Sequence, residues 1–200
     1  MKKIALAALL AASLGAAHAD VITFDDVSTA SAIPSGYGGL NWSNFYTHTG
    51  VDTFDYAGTG YVNGLVSGTQ DAFNPGGTPA TISATSAQGF SLADGYFTGA
   101  WSNNLKIVAT ATFENGTHDS KTFFVSTTGP VDEHFNWNGL ASVTFTSSGG
   151  TAQAGLHGSG THFVVDNLDT TPAVPEASNV AMLLAGIGLL AVAARRRRIG

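Results

Sequence analysis

The chain has no cysteine. No disulfide can form and no thiolate can hold zinc, so stability must come from packing or from a cation held by oxygen. Positive charge is nearly missing from the middle of the chain. Between residues 20 and 173 the basic side chains are Lys106 and Lys121, against 13 Asp and Glu, a net charge of −11 with neutral histidines. The whole-chain value of −6 conceals this, because six of the eight Lys and Arg sit at the two ends. So acidic a body repels nucleic acid and anionic membrane surfaces, which excludes nucleic acid as a partner and leaves the inner membrane to be met, transiently, by the C-terminal helix. Charged residues make up only 11% of the chain. No window of the body repeats with the 3.6-residue period of a helix, which argues against a helical bundle. Gly-x-Ser-x-Gly and His-Glu-x-x-His are also absent. Nothing therefore supports a nucleophile elbow or a zincin site.

Glycine is plentiful, with 25 in the chain, and Ser, Thr and Asn are frequent. Between these turn-formers lie short alternating runs: Val21–Phe24, Leu40–Tyr46, Ala80–Thr85, Gly89–Leu92, Tyr96-Phe97, Lys121–Val125, His134–Trp137, Ser142–Thr146 and His162–Val165. Tyr61-Val62 and Leu65-Val66 flank a glycine turn. The clearest run is Leu105–Phe113, where Leu105, Ile107, Ala109, Ala111 and Phe113 share one face of a strand,. Asn115-Gly116 after it is a hairpin signal,. About nine or ten short strands separated by turns imply an all-β, two-sheet β-sandwich. A jelly roll is the first choice; an immunoglobulin-like sandwich is second and lacks its cysteine pair. Gly149–Gly160 reads as a loop.

The two ends have their own logic. Lys2-Lys3, the apolar Ile4–Leu14 and Ala17-His18-Ala19 make a secretory signal peptide over residues 1–19, cleaved near Asp20,. At the other end, Val174-Pro175-Glu176-Ala177 precedes an apolar run over 180–194 and then Arg195, Arg196, Arg197 and Arg198. The run holds 15 residues. As a helix it would reach about 22 Å, short of a bilayer core of about 30 Å. Four arginines hold the C-terminus on the cytoplasmic side. The body, residues 20–171, then lies outside, with 172–200 as the sorting and anchor segment.

This order resembles the PEP-CTERM sorting signal of Gram-negative bacteria, with Ala177 in place of the second proline. The resemblance implies an exosortase that removes the tail at the inner membrane, and an association with biofilm and exopolysaccharide. A second resemblance lies in the body. Phe24-Asp25-Asp26, Ile33–Trp42 and Phe163–Leu168 are similar to secreted jelly-roll modules, many of which bind carbohydrate. In such folds the first and last strands are neighbours and often hold a structural Ca²⁺. Asp25, Asp26, Asp166 and Asn167 are the hard oxygen donors such an ion needs. Ordinary turn chemistry is the competing reading of the same residues.

Among Tyr37, Trp42, Phe45, Tyr46, Tyr56, Tyr61 and Trp101, the candidates for sugar stacking are Trp42, Tyr46 and Trp101, with Asn103 to bond hydroxyls. Core filling competes for each ring. The expected function is that of a non-enzymatic exported surface protein that associates with matrix polysaccharide. A structural matrix protein without a defined ligand is the alternative, and a secreted hydrolase ranks third.

Overall fold

The computed structural model describes residues 20–51 and 56–172. The strands are β1 (Asp20–Ile22), β2 (Leu40–Ser43), β3 (Tyr46–Thr49), β4 (Gln70–Phe73), β5 (Ala80–Ala84), β6 (Phe90–Gly99) and β7 (Ser102–Asn103). They continue with β8 (Leu105–Phe113), β9 (His118–Val125), β10 (Val131–Ser148), β11 (Thr151–Ala152) and β12 (Phe163–Pro172). A single turn of helix, α1 (Gly60–Asn63), interrupts them.

β8 and β9 show why these residues make strands. In β8 Leu105, Ile107, Ala109 and Ala111 are buried and alternate with outward Lys106, Val108 and Thr110. Glycine at 116 supplies the positive φ, 80°, that the hairpin turn needs,. Asn115 Oδ1 accepts the Thr117 N–H at 2.9 Å. β9 then returns in register from Thr112↔His118 to Leu105↔Val125.

β10 turns one curled sheet into two layers. Its first half, Val131–Leu140, pairs with β6. Its second half pairs with β5 on one side and β8 on the other. Between them the register slips, with Asn136 at φ 53° and Gly139 at φ 70°. Bulges of this kind bend a strand and let it serve two sheets. One layer is therefore β3-β4-β12-β6-β10, with β1 beside the end of β12, and the other is β2-β5-β10-β8-β9. The layers meet through phenylalanines: Phe97 lies 5.3 Å from Phe145 and 5.1 Å from Phe123, and Phe163 lies 6.0 Å from Phe145. Phe97, Phe145 and Phe163 are fully buried, worth about 1.5–3 kcal/mol each,. The architecture is an all-β, jelly-roll-like sandwich.

Lys121 guards the open side of the sandwich. Its Nζ donates to the His134 carbonyl at 2.6 Å and pairs with Glu133 at 2.8 Å, beside the free edge of β10,.

Two local readings change. Leu40–Tyr46 is not one strand: Asn44 takes a left-handed φ of 57°, and β2 and β3 go to different layers. The Tyr61-Val62 pair lies in α1 rather than in a strand. Among the described residues no helix is long and apolar enough to cross a membrane. The signal peptide (1–19), Val174–Ala177, the run 180–194 and Arg195–Arg198 lie outside the described residues.

Candidate functional site

The site follows from strand alternation. On β12, Phe163 and Val165 point into the core, so Val164 and Asp166 point out. On β4, Ala72 points in, so Asp71 and Phe73 point out. β3 pairs His48 with Asp71 and Tyr46 with Phe73. This outer face is roofed by the segment that contains α1. Gly60 N donates to the Ala100 carbonyl at 2.9 Å. A Cβ at Gly60 would stand 2.1 Å from the Gly99 oxygen, so only glycine permits the approach.

Under and beside this roof the aromatic rings form a second cluster, apart from the main core. Tyr61 is 3% exposed. Its ring centroid lies 5.4 Å from Trp101, 5.3 Å from Phe73 and 4.6 Å from His48. His48 lies 4.5 Å from Tyr56, and Tyr46 lies 6.4 Å from Phe73. The Tyr61 hydroxyl meets His162 Nδ1 at 2.7 Å. Burial, then the charge of Asp71, raises the Tyr61 phenol, while burial lowers His162. Phenol and imidazole are therefore both neutral, and the imidazole tautomer sets which of them donates,.

Below the rings lies a group of carboxylates. Asp71 is fully buried, and both its oxygens lack a hydrogen-bond partner among the described residues. His48 Nδ1 is 3.9 Å away, beyond hydrogen-bond reach,. Burial, then the charge of Asp166, raises Asp71 well above the ordinary carboxylate range. Asp166 is also fully buried. Its Oδ2 accepts the N–H of Val66 at 2.7 Å and of Ser67 at 3.0 Å, and its Oδ1 accepts that of Asn167 at 2.7 Å. Burial raises its pKa and these three donors oppose the rise.

The four residues expected to hold Ca²⁺ divide as follows. Asp25 and Asp166 both reach the Val66–Gln70 segment. Asp25 Oδ1 accepts the N–H of Thr69 at 2.6 Å and of Gln70 at 3.1 Å. Asn167 Oδ1 accepts the Ser67 hydroxyl at 2.6 Å. Asp26 turns elsewhere and accepts the Tyr37 hydroxyl at 2.6 Å. Together, Asp25, Asp166 and Asn167 strap that segment to the sheet.

The four residues expected to bind sugar also separate. Tyr46 and Trp101 belong to the ring cluster, and Tyr46 is 39% exposed. One face of Trp101 is covered, since a Cβ at Gly158 would stand 2.6 Å from its ring. Trp42 packs edge-on against Phe24 at 5.6 Å and Phe45 at 5.3 Å, and donates to the Tyr37 carbonyl at 2.9 Å. It closes the main core. Asn103 Oδ1 accepts from the N–H and hydroxyl of Thr127 at 3.0 and 2.9 Å, so its amide is a loop clasp.

Sequence reasoning gives no site role to His48, Asp71 or Phe73, and reads His162 only as a strand residue that faces solvent or bonds a neighbouring hydroxyl, here that of Tyr61. At 48, 71 and 73 the only linear signal is a polar or aromatic residue at the outward phase of a strand, and His162 stands one residue before β12. One further group stands apart. His134 places Nδ1 3.6 Å from Asp94 and Nε2 3.7 Å from Asp132. It is the one trio of metal-capable side chains among the described residues.

Residues 173–198 match the PEP-CTERM protein-sorting motif. No curated protein matches the chain. Among solved structures, the chain is similar to the K2 cleaved adhesin domain of Lys-gingipain, at 7% identity over 78% of this chain and 100% of that one, with a TM-score of 0.47. It is similar to the CBM22-1 xylan-binding domain of Xyn10C from Paenibacillus barcinonensis, at 12% identity over 80% and 100%, with a TM-score of 0.43. It is similar to TmCBM61 in complex with β-1,4-galactotriose, at 8% identity over 73% and 99%, with a TM-score of 0.41. Likenesses this distant carry no functional argument. What the chain does carry, at residues 173–198, is a PEP-CTERM protein-sorting motif, the recognition signal of an exosortase, which marks it for export and for processing at the membrane.

Proposed function

We propose that this is a non-catalytic surface protein of a Gram-negative bacterium whose sandwich binds extracellular polysaccharide of the biofilm matrix. In this reading exosortase removes the tail and the acidic body stays outside the cell. The supporting observation is the second ring cluster. Tyr46, Tyr56, Tyr61, Phe73 and Trp101 lie outside the main core, on the outer face of one layer. Rings gathered beyond what the core needs, with Tyr46 open to solvent, suit the apolar faces of sugar rings.

The test is affinity electrophoresis of the full chain, in mild detergent, through gels containing the organism's own matrix polysaccharide. Retardation is expected, and Tyr46→Ala with Tyr56→Ala should abolish most of it. Migration unaffected by the polysaccharide would refute the reading.

A further inference from the structure

A second feature has no role in the ring cluster. Near the bend of β10, where β6, β10 and β12 run side by side, the surface opens into a groove of about 400 Å³. Its polar lining includes Ser91 from β6, Asn136 from β10, and Asp169 and Thr171 from β12.

Most asparagines elsewhere are engaged. Asn44 donates to Thr78 and Pro79, Asn63 to Thr127, and Asn74 accepts the Phe163 N–H. The side chains of Ser91, Asn136, Asp169 and Thr171 have no hydrogen-bond partner among the described residues. Asn136 also holds a left-handed backbone, φ 53°, at the slip in register. Hydroxyls, an amide and a carboxylate, all uncommitted and facing one groove, are the donors and acceptors a polyhydroxylated ligand needs.

Charge narrows the class. Asp169 is paired in register with Asp94, and Asp94 faces His134 with Asp132 beyond it. Among the described residues no lysine is free to meet an anion there: Lys121 is tied to Glu133 and the His134 carbonyl, and Lys106 lies on β8 in the other layer. An anionic sugar is repelled, and an ammonium group gains a charge-assisted bond to Asp169.

We infer that this groove is a subsite for glycan chains bearing free amino groups, and that it rejects uronic acids; the inference rests on the glycan-binding reading above. Asn136, Ser91 and Thr171 bond the sugar hydroxyls, and Asp169 takes the ammonium.

Isothermal titration of the full chain in detergent, at a pH where the amine is protonated, tests it. The probes are a glucosamine hexamer, its N-acetylated counterpart and a galacturonate hexamer. The glucosamine hexamer should bind about tenfold tighter than the acetylated one, and the uronate should not bind. Asp169→Asn and Asn136→Gly should each weaken glucosamine binding by about tenfold. Asn136→Gly keeps the net charge and suits the left-handed backbone, so it should keep the wild-type melting temperature. A loss with Asp169→Asn but none with Asn136→Gly would mean bulk charge attraction and overturn the proposal. Glycan binding that Tyr46→Ala removes and both groove variants retain would overturn the groove while leaving the wider reading intact. If no glycan binds at all, the wider reading falls and takes this one with it.

Discussion

Asp71→Asn is the sharpest probe of the roofed face. Asp71 is fully buried, its oxygens have no donors among the described residues, and Asp166 repels its charge. Its folded pKa is therefore raised well above the ordinary 3.8. The sign follows directly. Above about pH 4 the unfolded chain has released this proton and the native state still holds it, so stability falls as pH rises through that window. Full retention of one proton tilts stability by about 1.4 kcal/mol per pH unit. For a domain of this size that is about 3–6 °C of melting temperature per pH unit. Asparagine imitates the neutral acid and cannot ionise. The variant should match the wild type near pH 4 and become the more stable of the two as pH approaches neutrality. Asp166, raised in the same direction, leaves a residual slope, so the variant's curve should be shallower rather than flat. Thermal unfolding followed by near-ultraviolet circular dichroism across this range decides it. Parallel curves for the two proteins would refute the claim that the native state keeps Asp71 protonated above the ordinary carboxylate range.

Other variants test the neighbouring contacts. Asp166→Ala removes the acceptor for three N–H groups and should cost about 2–4 kcal/mol, with amide exchange at Val66 and Ser67 accelerated about 30-fold or more,. Unchanged exchange there would mean that the strap does not hold the segment. Gly60→Ala drives a Cβ into the Gly99 carbonyl at 2.1 Å and should cost about 2–3 kcal/mol by denaturant melt,. Trp42→Ala should cost about 3 kcal/mol because the ring closes the core,. Tyr46→Ala, on the exposed rim, should cost at most about 1 kcal/mol,. Equal losses for these last two would show that the rim ring is structural.

Much of the fold was legible in linear order because alternation is a local property. Leu105, Ile107, Ala109 and Ala111 declare one buried face of β8, and Asn115-Gly116 declares the hairpin, with no help from distant residues. The sorting signal is likewise written in consecutive residues, Val174-Pro175-Glu176-Ala177 and then Arg195–Arg198, because a processing enzyme reads a contiguous peptide. The net charge of the body is a sum over residues and needs no coordinates.

The site was not legible in this way. His48, Asp71, Tyr61 and His162 lie far apart in sequence and meet only because β3, β4 and β12 are adjacent and α1 folds over them. The same aromatic residue type serves the core at Trp42 and the outer cluster at Trp101, and only packing separates the two. Asp25 and Asp166 were recognisable as oxygen donors, but which N–H groups they accept depended on the path of Val66–Gln70. Period and composition decide which face of a strand is apolar. Which strands become neighbours, and so which side chains share one environment, is settled by loop closure and by the bend in β10, and these are properties of the folded chain.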